Sequence, residues 1–210
     1  MNDGNKITLA IEAAIAGGSL ALIDKRGIIT ARWNGTSSVS RAEELLSSID
    51  RLLKDAGADK WQLGLVAVSA GPGSFTGIRI GIATALGLKA GLAIPMASAS
   101  ALRAMVSVHA VDGRCVAALP VGRDAVCIQT FQGDGLELTE LDRPHTIRKQ
   151  DLIKDAEGAA DVYIAHSSLY ELLGLAQAID AGENIASAVG HLCIKQPSIV
   201  EEPLFVSKSF

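Results

Sequence analysis

An apolar run from Leu63 to Val68 passes through Gly71-Pro72-Gly73-Ser74-Phe75-Thr76-Gly77 into a segment where Gly73, Gly77, Gly81 and Ala85 recur every fourth residue. That stretch constrains the fold more than any other. It reads as a buried strand, a tight glycine loop and then a helix over about Thr76 to Ala90, stopped by Gly91 and Pro95. Glycines four apart share one helix face, and each costs roughly 1 kcal/mol relative to alanine in a helix interior. Close approach of another backbone is the compensation such spacing predicts. The neighbour is either the chain's own interior or a partner polypeptide.

The elements around this segment follow from periodicity. Ile7 to Ile11, Gly18 to Ile23 and Ile28 to Trp33 read as three strands, the last two joined by the turn Asp24-Lys25-Arg26-Gly27. Ser40 with Glu43 forms a capping box, followed by Leu45, Leu46, Ile49, Leu52 and Leu53 at helical spacing and a Gly57 stop. A strand near Met96 precedes a helix over Ser98 to His109. In the second half, Arg114 to Leu119, Ala125 to Phe131 and Leu136 to Leu141 read as strands, with a turn at Gly133-Asp134-Gly135. A helix near Lys149 to Lys154, a strand at Val162 to Ala165 and helices over Leu169 to Ala178 and Ile185 to Lys195 complete the chain. Three strands, helix, strand, helix thus occurs twice, predicting a duplicated α/β fold with lobes at 1–105 and 106–210, whose last residues return to the first lobe.

Composition narrows the function classes. Lys plus Arg is 19 against 23 for Asp plus Glu, a net charge of −4, too acidic for gripping nucleic acid by bulk charge. Aromatics are 4%, which argues against a base-stacking platform. Cys115, Cys127 and Cys193 are odd in number and form no C-x-x-C pair, so a reducing, cytoplasmic setting is expected. Arg79 and Lys89 break the longest apolar region, and no membrane-crossing segment or leader peptide is expected.

The loop Gly71 to Gly77 can present backbone N–H groups and a helix start to a phosphate. It lacks G-x-x-x-x-G-K-[ST], its glycines read G-x-G-x-x-x-G, and no acidic residue ends the strand near Met96. A structural turn is the alternative, with Ser74 and Thr76 as turn and helix-cap residues. His109, His145, His166 and His191 show no spacing for a shared metal, and no H-E-x-x-H occurs. A protease-type zinc site is therefore not expected. His109 is expected to cap a helix C-terminus, and Cys115 and Cys127 to be small core residues. Arg79 and Lys89, about 80° apart on the helix, either rim an interface or form an ordinary solvated edge.

The run from Ala70 to Ala85, AGPGSFTGIRIGIATA, resembles the signature of the TsaB (YeaZ) family. The likeness continues through Gly87-Leu88, Gly91, Ile94-Pro95 and Ser98-Ala99-Ser100-Ala101-Leu102, and includes the helix Leu45 to Leu53. The resemblance implies a two-lobed actin-like, Hsp70-like ATPase fold with ribonuclease H-like lobes. It implies a non-catalytic subunit of the machinery that makes threonylcarbamoyladenosine beside the tRNA anticodon. The expected partners are a TsaD-like catalytic paralogue and a TsaE-like ATPase, with a homodimer forming when the chain is alone and tRNA met only through the complex. The pairing surface carried over falls on Gly73, Thr76, Gly77, Ile78, Gly81 and Ala85, with Glu44 and Ser48 of the preceding helix. Where such proteins open with Asp-Thr-Ser, this chain reads Glu12-Ala13-Ala14; His-Ser-Glu is replaced by Arg41-Ala42-Glu43, and Asp-Ala-Arg is reduced to Gly122-Arg123. No cofactor is expected. A degenerate nucleotide loop of Glu12, Gly71, Gly73 and Ser74, holding ATP or ADP weakly or jointly with a partner, stays open at this point. The competing reading is an independent ATP-utilising enzyme of the same fold.

Overall fold

The computed structural model describes residues 6–15, 17–36, 41–135, 137–152, 160–174 and 177–204, with only the backbone for 41–43. The expected Ser40 cap and Glu43 side chain lie outside the described residues.

Three strands open the chain: β1 Ile7–Glu12, β2 Ser19–Ile23 and β3 Ile29–Asn34. The β2–β3 turn is held by Asp24, whose Oδ1 accepts the N–H groups of Arg26 and Ile28 at 2.8 and 2.9 Å. Helix α1 (Arg41–Asp55), β4 (Leu63–Ser69), α2 (Phe75–Leu92), β5 (Met96–Ala99) and α3 (Ala101–Ser107) follow. Then come β6 (Asp112–Pro120), β7 (Ala125–Asp134), β8 (Leu138–Glu140), β9 (His145–Arg148), β10 (Val162–Ala165), α4 (Ser167–Leu173), β11 (Ala178–Asp180) and α5 (Ile185–Lys195).

The strands form two sheets. The first has the order β3-β2-β1-β4-β5 and the second β11-β10-β6-β7-β8, with β9 also paired to β7. Read from the other edge, the second sheet places its third, second, first, fourth and fifth strands as the first sheet does, provided β9 is set aside. The pairings agree too: β1–β2 and β6–β7 are antiparallel, and β1–β4 and β6–β10 are parallel. The repeated order read from the sequence is thus a repeated topology.

Alternation along the strands sorts the core into layers. Leu9, Ile11, Val66 and Val68 face α1 and α2, joining Leu45, Ile49, Leu52 and Ala85. Ala10, Ala67 and Ala97 point the other way, into a central layer that holds α3, α5 and the near face of the second sheet, including Cys115, Ala117 and Phe131. Val116, Ala118 and Tyr163 face outward again, under α4. Small residues line the central layer where the helices come closest. A Cβ on Gly190 of α5 would lie 2.8 Å from the Ala10 Cβ and 2.5 Å from Ile23 Cδ1.

Several expectations need correction. The helix expected from Ser98 starts at Ala101, capped by Ser100, because Met96–Ala99 pairs with β4 as a strand. Lys149–Asp151 is a 3-10 turn, and 153–159 lie outside the described residues. The helix expected to reach Ala178 ends at Leu173, and Ala178–Asp180 is an edge strand beside β10. Phe75–Leu92 has 18 residues and a mean hydropathy of 1.2, so by length and composition it could cross a membrane, contrary to expectation. Core helices meet the same criterion, and the buried face of α2 packs on the chain's own first sheet.

Candidate functional site

Helix α2 begins where the glycine loop meets the first turn of the chain. Ser74 is its N-cap, its Oγ accepting the Gly77 N–H at 3.3 Å, which is the bland role expected for this serine. The Ser74 N–H donates to the Ala14 carbonyl at 2.8 Å. A Cβ on Gly73 would meet Ala14 at 2.6 Å, and one on Gly77 would collide with the Ala13 carbonyl. At Gly81 the nearest atoms to such a Cβ are those of Ala13 and Val68 at 3.5 Å. Ile78 and Ala85 are buried on the same side.

The small-residue stripe therefore lies against the chain's own β1 turn and β4. Its compensation is intramolecular, which corrects the view that a partner is the reason for these glycines. Of the residues carried over as a pairing surface, Gly73, Gly77, Ile78, Gly81, Ala85 and Ser48 are buried, while Thr76 and Glu44 are exposed.

The opposite face of α2 is the one open to a neighbour. At 100° per residue, Phe75, Arg79, Ala83, Leu86 and Ala90 fall about 180° from the centre of the buried stripe. All five are exposed, Phe75 and Leu86 each by 49%. The Arg79 guanidinium stacks 3.7 Å from the centre of the Phe75 ring, one turn away. On α1, Leu46 is 59% exposed beside Glu44, Ser47 and Asp50. The sequence carried a signal for this face: a helix apolar all round needs cover all round. The described residues cover only one side of α2.

The loop read as a nucleotide site is closed on itself. Glu12 is 1% exposed, and its Oε1 accepts the N–H groups of Ala14 and of Ile15, the latter at 2.8 Å. Those are the donors that a phosphate at this turn would need, and a carboxylate already holds them. Gly71 and Gly73 are buried, and the Gly71 N–H donates to Ser69 Oγ at 3.1 Å. The residues present at this turn do not fit a bound phosphate.

Residues 36–138 match a family model described as TsaD, tRNA N6-adenosine threonylcarbamoyltransferase. The "tRNA threonylcarbamoyladenosine biosynthesis protein TsaB" of Escherichia coli K12 is 34% identical over 97 residues, 46% of this chain and 41% of that protein. Its namesake from Haemophilus influenzae is 35% identical over 101 residues, 48% of this chain and 42% of its own length. Over this segment the chain is similar to TsaB.

The matched segments span less than half the length of these TsaB relatives. Among solved structures, YeaZ from Pseudomonas aeruginosa superposes with a TM-score of 0.67 at 20% identity, covering 95% of this chain and 99% of that one. A Pseudomonas aeruginosa protein described as similar to peptidase YeaZ gives 0.69 at 21%, covering 96% and 100%. At such identities the likeness establishes the fold alone, a two-sheet α/β architecture shared with YeaZ. The TsaD-type match takes in α1, β4 and α2 whole, whereas the Glu12 turn lies outside it.

Among the described residues no three His, Cys, Asp or Glu side chains gather as a metal site. His166 caps α4, its Nδ1 accepting the Ser168 N–H at 3.2 Å with Ser168 Oγ 2.9 Å away, and burial holds its pKa below the usual histidine value. His191 Nε2 lies 2.8 Å from the Gly27 carbonyl and ties α5 to the β2–β3 turn. His109 follows α3, but the C-cap is Val108. Cys115 and Cys127 are buried strand residues, as expected.

Proposed function

We propose that this chain is a non-catalytic pairing subunit in tRNA threonylcarbamoyladenosine biosynthesis. It docks through the outward face of α1 and α2 onto a catalytic paralogue of the TsaD type. The observation that carries this reading is the exposed row Phe75, Arg79, Ala83, Leu86 and Ala90 on a predominantly apolar helix. The names of the TsaB relatives supply the pathway. The TsaD-type match over both helices supports a partner built from an equivalent helix pair, since paralogous surfaces can meet about a pseudo-two-fold axis. By the same symmetry the chain self-pairs when the paralogue is absent. A TsaE-type ATPase would join the assembled pair, and tRNA would meet the chain only through it.

In this reading the chain works without nucleotide at its first turn, because Glu12 satisfies the turn's donors internally. That separates it from an independent ATP-utilising enzyme: calorimetric titration of the isolated chain with Mg-ATP is expected to give no stoichiometric heat.

The pairing test is Leu86→Asp. It places a carboxylate in the centre of the exposed row without touching the buried stripe. Sedimentation at micromolar concentration should show the wild type as a dimer and the variant as a monomer. Co-purification with the TsaD-type paralogue should fall at least about tenfold, the loss expected when a buried apolar anchor becomes charged. Unchanged self-association together with unchanged capture would overturn the proposal.

A further inference from the structure

The loops leaving β4 and β5 depart to opposite faces of the first sheet. One leads to α2 in the outer layer and the other to α3 in the central layer. In open α/β sheets the crevice at the carboxyl ends of two such strands is where ligands bind. Here the chain fills that crevice with its own segment 199–204. Val200 pairs with Ser98 as a parallel bridge on the free edge of β5. The Ser98 N–H donates to Ile199 O and the Glu201 N–H to Ser98 O, both at 3.0 Å. The Ser98 hydroxyl donates to the Glu201 carbonyl, also at 3.0 Å. The segment then crosses to β4, where the Leu204 N–H donates to Ala70 O at 2.8 Å. There it seats on Gly71, whose added Cβ would lie 2.9 Å from the Leu204 carbonyl.

What holds the segment down is unusual for a strand. Val200 is 76% exposed, and Glu202 and Pro203 are exposed too, so its apolar anchorage is limited to Ile199, at the edge of the central core, and half-buried Leu204. The side chain that reaches in is Glu201. Its Oε2 accepts the Ser100 N–H at 2.5 Å, and its Oε1 lies 3.8 Å from Arg103 Nε. Arg103 also reaches Glu140 of the second sheet at 3.1 Å, so one guanidinium is shared between the segment and the other lobe. Beside the segment lies a hollow of about 290 Å³ between the lobes, lined by Ser100, Gln129, Glu140, Pro144, Glu201 and Leu204 among others. The hydrogen bonds themselves are partly shielded, since Ser98, Ser100 and Ala70 are buried, but an edge segment with so little apolar contact opens at a fraction of the global stability.

We propose that segment 199–204 is a displaceable strap, latched by Glu201, which closes the crevice at the carboxyl ends of β4 and β5 and opens it to the inter-lobe hollow when lifted. The strap also abuts the loop that starts α2, so its position is linked to the first turn of the exposed helix. The inference does not depend on the pairing reading and is tested on the full chain alone.

The experiment is native-state hydrogen exchange resolved by residue. In the wild type, the amides of Ser100, Glu201 and Leu204 should exchange together, at least about tenfold faster than those of Ala67 and Val68 in β4. Glu201→Ala should speed the three by about tenfold or more, the effect of losing a charge-assisted hydrogen bond, and leave Ala67 and Val68 unchanged. Glu201→Gln, which keeps an acceptor for Ser100, should restore most of the protection. Three results would each overturn the strap: the three amides exchanging with β4 in the wild type, no response to Glu201→Ala, or equal acceleration of strap and β4.

Discussion

Glu12 and the three cysteines show how burial decides what a reactive group can do. The Glu12 carboxylate sits where a phosphate-binding turn would leave its N–H groups open, and it takes them for itself. Its replacement of an aspartate was visible in the sequence. Its direction was not, because the extra methylene that lets the carboxylate curl onto Ala14 and Ile15 matters only once the turn is built. Cys115 and Cys127 were legible as core residues from their place in apolar runs, and burial has a measurable consequence for all three. It pushes the Cys115 thiol up to about 11 and the Cys127 and Cys193 thiols to about 12. At pH 8 the thiolate fraction is then roughly one thousandth or less for each, so nucleophilic attack is suppressed. A colorimetric disulfide reagent added to native protein at pH 8 should titrate none of the three within minutes, and all three after unfolding in guanidinium. Rapid reaction of even one thiol in the native state would contradict the packing described for it.

At the scale of elements, α2 separates what periodicity reveals from what it conceals. Its existence and bounds came within two residues of the structure, because strand, glycine loop and four-residue spacing agree. Which way its small face points was undetermined, since a helix made of Ile, Leu, Ala and Gly carries apolar residues at every angle. Contact with the Ala13 and Ala14 backbone settles it, and the consequence is a stability effect rather than an assembly effect. Gly77→Ala forces a methyl into the Ala13 carbonyl, and α2 cannot retreat without uncovering Val68 and Ile11. Overpacking against backbone of this kind costs about 3 kcal/mol, the upper part of the usual range. Urea titration should show a matching fall in midpoint at unchanged m-value, whereas Gly87→Ala, with nothing within 4 Å of its added Cβ, should be neutral or stabilising. The short strands β9 and β11, of four and three residues, left no pattern long enough to read. They form only because β7 and β10 offer them an edge.

The whole molecule is a duplicated sheet whose halves are not self-sufficient. The duplication was legible from the order of turns: Asp24-Lys25-Arg26-Gly27 and Gly133-Asp134-Gly135 occupy the same place between second and third strands. The sequence reading brought only the last residues back to the first lobe, without showing that α5, the last helix, is what packs on β1, β2 and β4 of the first sheet. Gly190 is the residue that permits the approach, and Asn184 secures the near end by donating to the carbonyls of Leu20 and Trp33, each at 3.1 Å. The inner face of the first sheet is Ala10, Ala21, Ile23, Ala67 and Ala97, and its cover is Ile185, Val189, Leu192 and Cys193 from the far end of the chain. Removing that cover exposes apolar surface on a sheet whose remaining cover among the described residues is the seven-residue α3 and the near face of the second sheet. A fragment of residues 1–111 keeps every strand of the first sheet and both outer helices, yet it should fail to fold. Its circular dichroism should show weak, non-cooperative melting, and it should bind a hydrophobic dye that the full chain does not. The intact protein should melt in one calorimetric transition, because neither lobe keeps a closed core once α5 leaves. Two resolved transitions, or a cooperative melt of the fragment, would mean that the first sheet carries its own core and that α5 is an accessory rather than the element joining the lobes.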